Sequence, residues 1–421
     1  MPALNPREYY RLPWSFTDNA ISWLEVTTSC NLACEGCYRP NEKNGHKTLA
    51  QIAEELAVLK KLRKSDCISI AGGDPLVHPE IVEIVRMIKD GGWKPILNTN
   101  GLKLTPELLK DLKKAGVYGF TFHIDTTQKR SDSKASVEAD HNALRLKFAQ
   151  MLANEGGIGC SFNQTVSVKT LDQVPDVIRW AKQYPDIVHT MVFILFRSPD
   201  LNDEALDFYA YGKKMEIENM YKESPWGGDR LIKANEVVAK IKEADPLYEP
   251  NSYLGGTADP MSTKWLLASR VARGSTTFGY TSPRLMEISQ HINHLFKGTW
   301  LSYADPKTTS LGRIASFLLA PFDKKMRAVA RRIFIHTIKT PLSLFKPAYV
   351  QTFAIIQPVD FMADGSLNMC DSCPDITVHN GKLYWSCRLE EIKKYGCFLT
   401  AVPRKQTLHV VADKTKKAAN Q

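Results

Sequence analysis

The chain has 421 residues, 43% hydrophobic and 24% charged, which is enough to bury a full barrel and a further domain. No apolar run reaches the roughly 18 residues that span a bilayer, and the N-terminal Met-Pro-Ala-Leu-Asn-Pro-Arg has no apolar core of a signal peptide, so a cytoplasmic location is expected. The net charge of +10 is concentrated: from Met261 to Val350 there are 14 Lys+Arg against 3 Asp+Glu.

Residues 21–27 alternate as a strand and run into a cysteine-rich loop. Thr48, with Gln51 three residues on, opens a helix through a capping box. Leu49, Ile52, Leu56 and Leu59 form its apolar face. Cys67–Ala71 is a short strand, and Ile81, Ile84, Val85 and Ile88 mark the next helix. Lys94–Thr99 reads as a strand, and Thr105-Pro106 starts a helix with proline in its first turn. Gly119–Asp125 is a strand, 137–155 a helix, Gly159–Ser167 a strand, 173–183 a helix and Val188–Phe196 a strand. Strands alternating with helices predict a parallel sheet. Six such units do not close an eight-stranded barrel, and active sites of parallel α/β folds gather at the C-terminal strand ends.

The loop after the first strand reads Cys30-Asn-Leu-Ala-Cys34-Glu-Gly-Cys37-Tyr38, a C-x3-C-x2-C spacing. Four thiolates usually hold an iron–sulfur cube, so a three-thiolate set leaves one iron open, as a catalytic metal centre requires. A zinc site would favour paired C-x2-C units and four ligands. Buried core thiols are the other reading, but Asn31, Glu35 and Gly36 are poor core neighbours. The run resembles the signature of the radical S-adenosylmethionine (SAM) superfamily. The resemblance implies a [4Fe–4S] cluster on Cys30, Cys34 and Cys37 and SAM on its open iron. It further implies a 5′-deoxyadenosyl radical that abstracts hydrogen from a substrate. It also implies a partial (β/α)6 TIM-like barrel.

Other strand ends fit that resemblance. Ala71-Gly72-Gly73-Asp74-Pro75 is similar to the family's Gly-Gly-Glu-Pro motif, with Asp74 in place of Glu. Two glycines allow a tight turn and a close approach. By resemblance Gly72, Gly73 and Asp74 seat SAM. Many family members carry an aromatic just before the third cysteine, near adenine; here Gly36 holds that position and Tyr38 is the aromatic. Asn98-Thr99-Asn100-Gly101 is similar to the family's Thr-Asn-Gly ending, and it also suits a simple turn. His123 and Asp125 share a face by the period of two, as do Asn163 and Thr165. Asn100, Asp125 and Asn163 are the expected further SAM contacts. No acid, base or nucleophile is singled out as catalytic.

A second array, Cys370-Asp-Ser-Cys373-Pro374, is followed by Cys387 and Cys397. Val378–Leu383 between them, with Asn380-Gly381, reads as a hairpin. The array loosely resembles the auxiliary-cluster extensions called twitch and SPASM domains. A second [4Fe–4S] cluster on Cys370, Cys373 and Cys387, with Cys397 as fourth ligand, is the preferred reading; a four-cysteine zinc knuckle is the alternative.

The domain plan is therefore a barrel core over 1–200, a mostly helical basic and apolar insert over 201–350, a C-terminal cysteine-rich auxiliary domain over 351–410 and a flexible tail over 411–421. The insert mixes Trp265, Phe317 and Phe334 with Lys324, Lys325, Arg327, Arg331 and Arg332. Such a stretch suits a membrane surface, a hydrophobic anionic substrate, an acidic electron donor, or a plain cap with a solvated basic face. No nucleic acid is expected, since no recognised module accompanies the charge. The expected function is radical SAM chemistry on a hydrophobic small molecule, a lipid or tetrapyrrole, with a bacteriochlorophyll side chain as one specific candidate. A flavodoxin- or ferredoxin-type protein is the expected electron donor. Peptide modification is the competing enzyme class, and an iron–sulfur or zinc scaffold for a nucleic acid or protein is the non-enzyme alternative.

Overall fold

The computed structural model describes residues 4–34, 37, 39–197, 206–215, 230–303, 306–362 and 364–403. Tyr38 and the expected tail over 411–421 lie outside them. Six strands alternate with five helices: β1 Ile21–Thr27, α1 Leu49–Leu62, β2 Cys67–Gly72, α2 Ile81–Asp90, β3 Lys94–Thr99, α3 Pro106–Ala115, β4 Gly119–His123, α4 Asn142–Glu155, β5 Gly159–Val166, α5 Val174–Ala181 and β6 Thr190–Leu195. They pair in parallel and in chain order, β1 to β6. That is the partial (β/α)6 barrel, with every strand's C-terminal end on one side.

The local signals act as their chemistry requires. Thr48 and Gln51 cap α1 reciprocally, and Thr105 accepts from Leu108 N–H at the start of α3. Ile52, Leu56 and Leu59 of α1 and Ile84, Val85 and Ile88 of α2 are buried against Leu24, Ile68 and Leu97 of the sheet. Two boundaries are shorter than expected for identifiable reasons. The strand at 119 stops at His123 because the Asp125 carboxylate accepts Thr127 N–H at 3.0 Å and turns the chain. The helix over 137–155 begins at Asn142 because a 3-10 turn, Glu138–His141, comes first.

The sheet continues beyond six strands. After α6 (Ala234–Ala244) come β9 (Ser252–Leu254), β10 (Trp265–Arg273), β11 (Thr276–Tyr280) and later β12 (Tyr349–Ile356), while β7 (Leu206–Ala210) and β8 (Lys213–Met215) form a separate small sheet with Thr400–Pro403. β12 lies parallel to β6, with Thr352 opposite Thr190, and β10 lies antiparallel to β12. With the short strand Tyr10–Arg11 lying parallel to β9, a sheet of 11 strands results. The expected boundary at 350/351 thus falls inside a strand of the main sheet. Residues 201–350, expected to be mostly helical, also carry the strands β7 to β11, of which β9 to β11 join the main sheet; the helices that follow them include α7 (Pro283–Lys297), α8 (Gly312–Leu319) and α9 (Lys324–Lys339). α9 packs Met326, Val329 and Ile333 on Val271 and Phe278. The C-terminal hairpin is β13 (Ile376–His379) and β14 (Lys382–Trp385), and α10 spans Leu389–Tyr395. Its turn residues Asn380 and Gly381 both have positive φ, 47° and 71°, the conformation that a two-residue turn needs.

Candidate functional site

The cysteine loop leaves β1 at Thr27 and is held against the end of β2 by backbone. Gly73 N–H donates to Thr27 O at 2.8 Å, and Asp74 N–H donates to Ser29 O at 2.9 Å. The two chains approach so closely that a Cβ on Gly72 would sit 2.1 Å from Thr27 O, and one on Gly73 2.2 Å from Ser29 O. Gly72 also has φ of 124°, a conformation that side chains rarely adopt. Both glycines are therefore required by the seat of the cysteine loop itself.

Asn41 clamps the loop from the other side. Its Oδ1 accepts Cys30 N–H at 2.9 Å, and its Nδ2 donates to Cys30 O at 3.1 Å and Leu32 O at 3.2 Å. Asn100 adds a third tie: Nδ2 donates to Asn31 Oδ1 at 2.7 Å and lies 3.9 Å from Cys30 Sγ. Cys30 and Cys34 are partly buried and Cys37 is exposed. Burial raises the Cys30 thiol, and it pushes Cys34 up to about 12 with help from the Cys37 charge. A bound cation would reverse that, since metal-bound thiols lose their proton. Among the described residues no three His, Cys, Asp or Glu side chains already converge as a metal-binding group; the three thiols share one loop without closing on a point. Their chemistry and their spacing fit an iron–sulfur cluster.

Asp74 is 1% exposed and its carboxylate is taken by protein donors. Thr99 Oγ1 donates to both oxygens at 2.9 and 2.8 Å, Asn100 N–H at 2.7 Å and Leu76 N–H at 2.9 Å. Burial raises its carboxyl despite those bonds. Asp74 thus fastens the end of β3 to the end of β2 and leaves the partly buried Gly72-Gly73 backbone as the more accessible part of the motif.

Asp125 is fully buried at the end of β4. It accepts Thr165 N–H at 2.8 Å, Thr127 N–H and hydroxyl, and His123 Nε2 at 2.7 Å. Burial disfavours its charge, but the His123 cation and these donors outweigh that and hold the carboxyl well below its usual range. For His123 the same pairing overcomes desolvation and raises the imidazole above its ordinary value. Asn163 lies opposite His123 in register, partly exposed, and its amide has no hydrogen-bond partner among the described residues. The strand ends thus present a structural aspartate–histidine pair and, at Asn163, an amide available to a ligand.

Three residues of this region escape sequence reasoning. Asn41 carries no signal beyond its place four residues past Cys37. Arg130 has a fully buried side chain that donates to Asn100 O at 2.8 Å and pairs with Asp132 at 2.9 Å, and its charge favours the Cys34 thiolate. A cation just past a barrel strand is the signal that could have found it. Arg39 joins the two cysteine arrays: it pairs with Glu25 of β1, donates to Glu390 Oε1 of α10 at 3.1 Å and to Ser386 O at 3.0 Å, next to Cys387.

At the C-terminal array Cys370 and Cys373 are buried side by side. The hydrogen bond with Cys370 and then burial raise Cys373, while burial and the Cys370 charge push Cys387 up to about 12. Cys397 and Cys387 both pack against the cluster that holds Leu206, Phe208 and Leu399. The 370–374 turn is gripped from the barrel: Arg63 at the C-terminal end of α1 donates to Cys373 O at 2.9 Å, and Asn19 Nδ2 to Ser372 O at 3.2 Å.

Residues 24–208 match the model of the Radical SAM superfamily. The AdoMet-dependent heme synthase of Methanosarcina barkeri is 27% identical over 183 residues, 42% of this chain and 50% of that protein. The tungsten-containing aldehyde ferredoxin oxidoreductase cofactor-modifying protein of Pyrococcus furiosus is 34% identical over 166 residues, 38% of this chain and 47% of that protein. This chain spans about half the length of these two curated relatives. Among solved structures, Streptococcus suis SuiB bound to S-adenosylmethionine is 16% identical with a TM-score of 0.34, covering 42% of this chain and 41% of that one. The match runs from within β1 through the cysteine loop and the Gly72-Gly73 turn and past the end of β6, so residues 24–208 are a radical SAM domain.

Proposed function

We propose that this chain is a radical SAM enzyme acting on a hydrophobic small molecule. The observation that carries the chemistry is the fusion of the Gly72-Gly73 turn with the Cys30–Cys37 loop, at an approach that excludes any side chain. Cys30, Cys34 and Cys37 would hold the [4Fe–4S] cluster. Gly72 and Gly73 offer backbone to SAM, and Asn163 an unpaired amide. Asp74, Asn100 and Asp125 hold these strand ends in place. When bound, the cluster and SAM supply an electron and a 5′-deoxyadenosyl radical for hydrogen abstraction. Arg130 contributes fixed positive charge beside Cys34. Cys370, Cys373 and Cys387 would hold a second cluster, tied to the first loop through Arg39. A flavodoxin- or ferredoxin-type protein would deliver the electron.

The apolar, cationic helices α7 to α9 support a lipid or tetrapyrrole as substrate, and the similarity to a heme synthase points the same way. Anaerobic reconstitution followed by dithionite reduction should yield 5′-deoxyadenosine from SAM. Changing Cys30, Cys34 and Cys37 together to alanine should abolish it. Unchanged cleavage in that variant would overturn the assignment. Substrate-dependent consumption of a porphyrin, rather than of a peptide, would distinguish the substrate classes.

A further inference from the structure

Helix α9 has two apolar faces, and only one of them is buried against other described residues. Met326, Val329 and Ile333 form the core face. Phe334, Ile335 and Ile338 project on another side of the helix and are exposed. α8 repeats the arrangement: Ser316 is buried while Ile314, Phe317 and Leu318 are exposed. In the turn after α9, Leu342 and Phe345 are 77% and 84% exposed. An apolar groove of about 500 Å³ runs between the two helices, lined by Phe317, Leu318, Phe334 and Leu344 with Arg313 at its edge. Apolar exposure on this scale marks an interaction surface.

The charge around it is predominantly positive, with Glu249 from outside the hairpin paired to Lys325. Residues 306–346 contain nine Lys and Arg and a single acid, Asp323. That acid is buried and caps α9, accepting Lys325 N–H at 2.8 Å and Met326 N–H at 3.0 Å. Lys324 and Arg331 have no ion-pair partner among the described residues. Arg327 and Arg332 donate to the backbone carbonyls of Ala320, Pro321 and Phe278, so their charge is not compensated. A second copy of this face would be repelled. Among the described residues no helix is long and apolar enough to cross a membrane. Exposed Phe, Leu and Ile interleaved with cations suit a surface that is apolar within and anionic at its edge.

We propose that the α8–α9 hairpin and the turn after it lie on an anionic phospholipid bilayer, with Leu342 and Phe345 among the acyl chains and Lys324 and Arg331 at the headgroups. This inference stands apart from the radical chemistry, and its test needs no turnover. The chain should sediment with mixed phosphatidylcholine–phosphatidylglycerol vesicles at low salt and not with pure phosphatidylcholine. At 1 M salt, where the Debye length is about 3 Å, binding should be lost. The K324Q/R331Q variant should bind roughly 30-fold more weakly, from about 1 kcal/mol per cation at an anionic surface. The L342S/F345S variant should also lose binding while keeping the wild-type melting temperature, because both side chains already face outward. Hydrogen exchange should slow on vesicles within 312–319 and 334–345. Absence of sedimentation, equal binding to both vesicle types, or variants that bind like the wild type would overturn the proposal. So would a wild-type dimer that either variant converts to a monomer, since the face would then be a contact between copies of this chain.

Discussion

Replacing Gly73 with alanine tests whether the close contact of two loops makes the cluster site. The new methyl group would sit 2.2 Å from Ser29 O, 2.6 Å from Ser29 C and 2.8 Å from Thr28 O. All three are backbone atoms, so no side chain can swing aside. Restoring van der Waals distance needs the cysteine loop to withdraw by about 1 Å, with an overpacking penalty of about 1–3 kcal/mol. The same movement stretches the bonds from Gly73 N–H to Thr27 O and from Asp74 N–H to Ser29 O, each worth about 1 kcal/mol. The total, about 3–5 kcal/mol, falls on one loop rather than on the sheet. A displacement of that size weakens a positioned reaction by about 100-fold. The assay is iron and sulfide content after anaerobic reconstitution, with SAM cleavage measured per cluster. G157A serves as the control for a methyl that meets nothing: Gly157 has positive φ, 72°, which Gly73 does not, and nothing lies within 4 Å of its added methyl. G157A should lose about 1 kcal/mol of stability through backbone strain and keep full iron. G73A should lose cluster or cleave SAM at least tenfold more slowly while its far-ultraviolet spectrum is unchanged. Full loading and wild-type cleavage in G73A would refute the reasoning.

Asn41→Ala removes three hydrogen bonds from the cysteine loop and should reduce iron incorporation at constant helix content; wild-type iron in this variant would show that the clamp is dispensable. Iron in the reconstituted wild type should approach about eight atoms per chain, the content of two cubes. The C370A/C373A variant should halve it, whereas stoichiometric zinc with four irons would identify a zinc knuckle instead. The His123–Asp125 pair predicts two pH limbs of stability. His123 is raised in the folded state, so its contribution is present below about pH 6.5 and is lost as pH rises through the raised value. Asp125 is depressed, so its contribution is present above about pH 4 and is lost as pH falls toward the lowered value. In urea titrations H123Q should flatten the alkaline limb, and an alkaline limb identical to that of the wild type would exclude the pair as its source.

The local grammar of this chain determined a good deal unaided. The Thr48–Gln51 capping box, the Thr105-Pro106 helix start and the Asn380-Gly381 turn are short-range chemistry, and each appears where its residues stand. The alternation that makes six parallel β/α units is also short-range, because each helix packs on the strands that flank it in sequence. The C-x3-C-x2-C loop and the Gly72-Gly73 turn were legible for the same reason: each is a contiguous run. Tertiary structure alone decided the long-range pairings. Nothing near Tyr349–Ile356 signals that it will lie beside Thr190–Leu195, some 160 residues earlier. Asp74 reads as a ligand in one dimension, yet its buried carboxylate is taken up by Thr99, Leu76 and the backbone of Asn100, because parallel strands bring loops from different units to one rim. Arg39 reads as a surface cation until β1 and α10 close around it. A side chain's role depends on which partners remove it from water, and those partners come from chain segments that only folding brings together.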